Sequence, residues 1–220
     1  MENGLKINIK KAILNYDYWL TDSCAFHSLD LTNGKRASRI INLKLLEDDM
    51  VFGNFILQEL NKNDSPIYFS SGVFRELSLS VTNFKSNVQC YQGCGGIELK
   101  LDKMREKKNY QVIDVTNQIK KQRRIIAGEE LKGYDSLSLD LNNLKQENEL
   151  MQHKIISEVD YNLFLTGCLL SRKKSVAICS NDYPLFYLYN DYKEQNLANF
   201  KFDFYFRNNY PWLRKAKIKK

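Results

Sequence analysis

The chain has no long apolar run. Its longest nearly uncharged apolar stretch, Tyr161 to Leu170, holds about ten residues, whereas a helix across a bilayer needs ~20. No membrane-spanning helix is expected. The opening MENGLKINIKKAILNYD alternates polar and apolar residues and has no continuous apolar segment ahead of a small-residue cleavage site, so a cytoplasmic protein is expected, not a secreted one. Cysteine is scarce: Cys24, Cys90, Cys94, Cys168 and Cys179 are odd in number and mostly lie in apolar runs. That argues for reduced, buried thiols and against a disulfide framework. Cys90 and Cys94 have no second Cys or His pair near them, so a zinc site there is disfavoured. Two histidines, His27 and His153, are joined by no local pattern, which leaves a metal-free acid–base pair for RNA cleavage with little support. No internal repeat is visible.

What is present is an ordinary globular composition. The 220 residues are 43% hydrophobic and 27% charged, enough apolar surface to bury a sizeable core in one large domain or a domain with an insertion. Lys and Arg number 33 against 26 Asp and Glu, a net charge of +7. The charge is segmented. Residues 103–124 carry eight basic and two acidic side chains, residues 207–220 six basic and none acidic, and residues 129–149 a net −4. The two basic segments would attract a polyanion through phosphate contacts and counterion release. Solvated helix faces and a frayed terminus account for them equally well.

The apolar pattern alternates between short strands and helices. Residues 11–21 (KAILNYDYWLT) read as a strand followed by a turn into a helix, and apolar residues from Ile41 to Leu60 recur at helical spacing. Ile67-Tyr68-Phe69 reads as a strand leading into a helix over VFRELSLSVTNF. Ser157 opens another helix, Val176 to Cys179 is a compact buried strand, and the alternation of Phe200, Phe202, Phe204 and Phe206 predicts one buried strand face. This rhythm predicts an α/β layer with a parallel sheet. Residues 85–151 differ, with alternating charge blocks and Leu137, Leu141, Leu144 and Met151 at near-heptad spacing, and are read as a helical, charge-rich insertion. Those leucines suit the insertion's own core face better than a partner-helix seam.

In parallel sheets the ligand crevice lies beyond the carboxyl ends of the strands. Four acidic residues fall at comparable places in the rhythm: Asp22 after the first strand, Glu76 in the helix after IYFSSG, Asp160 in a first helical turn and Asp182 after a later strand. Each has a local explanation. Asp22 suits an N-cap, Glu76 a solvated helix face, Asp160 a capping box with Ser157, and Asp182 an Asx-turn. Together they would gather at one sheet edge, and carboxylates ~4 Å apart repel by about 4 kcal/mol at an effective dielectric near 20. Such a cluster calls for a cation, and hard oxygen donors without His or thiolate select Mg²⁺ or Mn²⁺.

These residues resemble the PIN-domain (PilT N-terminal-like) nuclease superfamily. WLTDSCAF at 19–26 is similar to that family's apolar strand ending in Asp and Ser or Thr; PIYFSSGVFRELS at 66–78 resembles its strand-to-helix segment bearing a Glu. SEVDYNLFLTGCLL at 157–170 resembles the helix with an early Asp after Ser, and VAICSNDYPL at 176–185 the late strand ending in Thr or Ser, one residue, then Asp. The likeness covers about 13–84 and 152–190, leaving the insertion and the basic tail outside it. Members often carry a further Asp after the last motif, where Tyr183 and Pro184 stand here.

The resemblance implies a three-layer PIN-like domain spanning 1–220, with the insertion at 85–151 and a basic tail at 207–220. It implies a metal-dependent endoribonuclease in which Asp22, Glu76, Asp160 and Asp182 hold Mg²⁺ or Mn²⁺, Ser180 orients the Asp182 carboxylate, and in-line attack leaves a 5′-phosphate and a 3′-hydroxyl. RNA, less readily DNA, would be the substrate. Lys103, Arg105, Lys107, Lys108, Lys120, Lys121, Arg123 and Arg124, with Arg207, Arg214, Lys215 and Lys217, would hold its backbone, and Tyr210 and Trp212 would stack on bases. An antitoxin or other protein partner and an oligomer are left open. The alternative is a catalytically inert PIN-like nucleic-acid-binding or scaffold protein.

Overall fold

The computed structural model describes residues 6–26, 43–87, 97–126, 156–195, 201–208 and 210–216. In chain order the elements are β1 (Lys6–Asn8), α1 (Ile9–Ile13), β2 (Tyr18–Thr21), a short 3-10 helix (Ser23–Ala25), α2 (Leu43–Leu60), β3 (Ile67–Ser70), α3 (Ser71–Asn87), α4 (Ile97–Lys121), β4 (Ile125–Ile126), α5 (Glu158–Ser171), β5 (Val176–Ser180), α6 (Tyr183–Gln195), β6 (Phe202–Arg207) and β7 (Trp212–Lys215). The seven strands form one sheet in the order β1-β7-β6-β5-β2-β3-β4. Strands β2 to β6 are parallel, while β7 runs antiparallel to both β6 and β1. The chain is thus α/β with a mostly parallel mixed sheet.

Helices cover both faces of that sheet, as β6 demonstrates. Successive strand side chains point to opposite faces. Phe204 and Phe206 meet Phe186 of α6 with ring centroids 5.6 and 5.2 Å apart, whereas Arg207 reaches Asp48 of α2 at 3.2 Å and Tyr205 stacks on Trp19 at 5.2 Å. Double coverage explains why VAICS, buried at all five positions, reads as a continuous apolar run and not as an alternation. On the α6 side, α5 approaches so closely that a Cβ on Gly167 would lie 2.8 Å from the Phe202 ring.

Three sequence expectations change. Residues 11–21 are not one strand: Asn8 accepts the Lys10 N–H and starts α1, and Asp17 accepts from Ser175 before β2 begins at Tyr18. The first part of the 85–151 segment is helical, yet it is built into the core and the sheet. The apolar stripe Val112, Val115 and Ile119 buries α4 in the core, α4 packs on α2 and α3, and β4 adds an edge strand beside β3. The 207–220 tail is likewise partly sheet: Arg207 ends β6 and Trp212–Lys215 form β7, with Leu213 buried and β7 paired with both β6 and β1. Phe200, Cys90, Cys94, Leu137, Leu141, Leu144, Met151, His27, His153 and Lys217 lie outside the described residues.

Candidate active site

Strands β3 and β4 lie to one side of β2, and β5 and β6 to the other. Chain connections therefore diverge between β2 and β5, opening a crevice at their carboxyl ends. Asp22 leaves β2 there, its N–H donating to Cys179 O at 3.0 Å, and Asp182 follows β5 by two residues. Helix α3 starts directly from the carboxyl end of β3 and carries Glu76 in its second turn. Helix α5 begins beside α3, with Val159 against Gly72, and carries Asp160 in its first turn.

The four carboxylates belong to one electrostatic cluster with Asp160 at its hub. The Asp160 charge raises the pKa of each of the other three. Asp22 is 1% exposed, and burial, then Asp160, pushes its carboxyl up to about 6. Burial followed by the same neighbour brings Asp182 up to about 6, and Glu76 is raised chiefly by burial. No cation on the described residues sits among these carboxylates as a hydrogen-bonded or ion-pair partner.

Each carboxylate is anchored by a hydrogen bond. Ser180 donates its hydroxyl to Asp22 Oδ2 at 2.7 Å, and Cys24 donates to the same oxygen at 2.8 Å. Ser23 donates to Glu76 Oε2 at 2.7 Å; having one proton, it leaves its 3.4 Å contact with Asp22 Oδ1 unserved. Ser157 donates to Asp160 Oδ2 at 2.6 Å while accepting the Asp160 N–H at 3.1 Å, a variant capping box. Asp182 Oδ2 accepts the Leu185 N–H at 3.2 Å, capping α6. The capping box foreseen for Asp160 is therefore real, whereas Asp182 accepts from three residues on and caps α6 in place of the foreseen Asx-turn; each role uses one carboxylate oxygen. Both lie at helix N-termini, where negative charge is favoured.

The arrangement revises the role of Ser180. Its hydroxyl orients Asp22, and for Asp182 it accepts the backbone N–H at 2.9 Å. Sequence reasoning missed Ser23 and Cys24, which the sequence offered only as neighbours of Asp22. Cys24 accepts the Asn181 N–H at 3.0 Å and so ties the β2 loop to the β5 loop; burial raises its thiol pKa well above the usual value.

Donor chemistry fits a hard divalent ion, since the second oxygen of Glu76, Asp160 and Asp182 takes up no hydrogen bond among the described residues. A formed coordination sphere is another matter: among the described residues, no group of three or more His, Cys, Asp or Glu stands arranged to hold a metal ion.

The basic residues divide sharply. Lys108, Arg124 and Arg207 are buried and bound within the protein, which corrects their expected role in holding RNA. Lys108 pairs with Asp49 at 2.6 Å, Arg207 with Asp48 and Asp49 while donating to Ala25 O at 2.7 Å, and Arg124 donates to Ser65 O at 2.7 Å and Tyr68 Oη at 2.9 Å. Lys215 pairs with Asp203 at 2.8 Å, and Tyr210 packs on Phe55 with centroids 5.7 Å apart. Lys103, Lys107, Lys120, Lys121 and Arg123 are exposed along and just after α4, where Arg105 also lies. Trp212 is 46% exposed, and Arg214 is half-buried.

No family model matches the chain, and neither a curated protein nor a solved structure matches it.

Proposed function

We propose that the chain is a PIN-like, Mg²⁺- or Mn²⁺-dependent nuclease, foremost an endoribonuclease. The observation that carries this reading is the meeting of Asp22, Glu76, Asp160 and Asp182 at the carboxyl edge of the parallel sheet, with Asp160 felt by the other three. Caps and turns explain each carboxylate singly. They do not explain why four distant stretches of sequence bring like charges together where burial makes the repulsion costly.

Asp22, Asp160 and Asp182 would hold the principal ion and Glu76 a second ion or the attacking water. A bound ion supplies a lowered water pKa and neutralises charge on the phosphate. The protein's part is positional. Ser180 and Cys24 fix the Asp22 carboxylate, Ser157 fixes Asp160, Ser23 fixes Glu76, and the α6 cap fixes Asp182.

An inert nucleic-acid-binding protein is the second reading, favoured by the lack of a ready-made sphere among the described residues. Incubating the purified chain with RNA or single-stranded DNA in Mg²⁺, Mn²⁺ or EDTA separates the two. Metal-dependent RNA cleavage that yields 5′-phosphates and is lost in Asp182→Asn supports the nuclease; salt-sensitive binding without cleavage supports the inert reading.

A further inference from the structure

Beside the carboxylates, the described surface turns aromatic and cationic. Tyr183 immediately follows Asp182, with adjacent Cα atoms ~3.8 Å apart, and is 49% exposed. Its ring rests on Phe206 with centroids 5.1 Å apart. Arg214 crosses the strand pair from β7 to lie over that same Phe206 ring at 4.8 Å, its Nη2 3.4 Å from Tyr183 Oη. The register Phe206↔Arg214 puts both side chains on the α6 face, and Trp212, two residues before Arg214, shares it. Tyr187 lies one helical turn beyond Tyr183 and is 50% exposed.

Half-exposed tyrosines on a surface helix are ordinary singly. Here a buried phenylalanine backs one of them, a guanidinium over that same phenylalanine reaches the tyrosine hydroxyl, and the platform is continuous with the carboxylate site through one peptide unit. Arg214 has no carboxylate partner among the described ion pairs, unlike Lys215 on the opposite face. An aromatic face beside an unneutralised guanidinium matches one nucleotide unit, a base and its phosphate. Only an unpaired base can present its face to a tyrosine, because duplex RNA keeps its bases stacked and shows its grooves and backbone.

Resting on the nuclease reading, we infer that Tyr183 and Arg214 form a subsite for the nucleotide next to the scissile phosphate, with Tyr183 stacking its base, Arg214 holding a phosphate and Tyr187 extending the platform. The substrate segment is accordingly single-stranded RNA.

The test measures binding apart from cleavage: fluorescence anisotropy of 5′-fluorescein oligouridine with the full chain in EDTA, over a salt series. Tyr183→Ala weakens binding about tenfold, and Tyr183→Phe, which keeps the stacking face, stays within about twofold of the original chain. Arg214→Gln lowers the salt slope by about 0.7, the value for one phosphate contact to a single strand. Binding of a fluorescein-labelled RNA duplex is unchanged by Tyr183→Ala. Circular-dichroism melts check that the variants fold, and if Tyr183→Ala does not, the Arg214→Gln salt slope decides, an unchanged slope overturning the subsite. Equal oligouridine affinity for Tyr183→Ala and the original chain overturns the subsite, even where Mn²⁺ supports RNA hydrolysis and the nuclease reading stands. A tenfold loss with no hydrolysis under any metal overturns the nuclease reading and supports the platform as a single-strand-binding surface. Failure of the original chain to bind oligouridine overturns the subsite and points to a protein partner for the aromatic patch.

Discussion

Replacing Asp22 by Asn should make the metal-free protein more stable at neutral pH. Folding raises the Asp22 carboxyl from 3.8 to about 6, first by burial and then through Asp160. The folded state therefore holds this proton more tightly than the unfolded chain does. Stability is greatest below the unfolded value, falls as pH rises between the two values, and levels off above the folded one. A shift of that size on a fully buried group corresponds to ~3 kcal/mol. Asp182 shifts the same way, but its half-exposed position lets solvent screen much of the effect, and Glu76 adds in the same direction. Asn keeps an acceptor for Ser180 and Cys24 and has no charge to desolvate. Urea unfolding in EDTA, followed by circular dichroism from about pH 4.5 to about pH 7.5, should show the original chain losing stability across the lower half of that range. Asp22→Asn should lose less and exceed the original by up to ~3 kcal/mol at the top of the range. Equal pH slopes, or a less stable Asp22→Asn at neutral pH, would refute the argument that this carboxylate is ionised at a cost to the fold.

Gly167→Ala would place a methyl 2.8 Å from the Phe202 ring and 3.1 Å from Ile178, so a loss of ~1–3 kcal/mol in urea unfolding is expected despite alanine's better helix propensity. Arg207→Ala leaves buried Asp49 with Lys108 as its remaining cation among the described ion pairs and removes the donor to Ala25 O, for a loss of ~3–5 kcal/mol. Ser157→Ala removes the α5 cap at a cost of about 1 kcal/mol and frees the Asp160 rotamer, so metal-dependent hydrolysis should fall more than stability does.

The parallel core was legible because its strands carry their own signature. VAICS admits no alternation and so declared itself doubly covered, and the Ser157 cap and the helical spacing before Leu60 marked two helices. The edges were not legible. Strands β1 and β7 each span three or four residues, and β7 is held by one buried leucine amid basic residues, so its charge masked its pairing. The acidic positions shared a visible recurrence after strands and within the first two turns of helices. The Ser157 anchor was legible as a capping box beside Asp160, but the Ser23 anchor was not, because Ser23 and Glu76 are 53 positions apart and the β2–β3 pairing brings them together. Burial of Lys108, Arg124 and Arg207 escaped the sequence for a related reason: the anions and carbonyls that accept them lie on distant elements, and a run of basic residues looks the same whether its partners are protein or phosphate.

Titration of Mn²⁺ into the metal-free chain by isothermal calorimetry at neutral pH tests the shared-ion claim most directly, with Asp160→Asn beside it because Asp160 is the charge common to the other three. The account predicts saturable binding to the original chain, weakening as pH falls through about 6 where protons compete for Asp22 and Asp182, and its loss in Asp160→Asn. Absence of Mn²⁺ binding in the original chain, or affinity unchanged by Asp160→Asn, would contradict it.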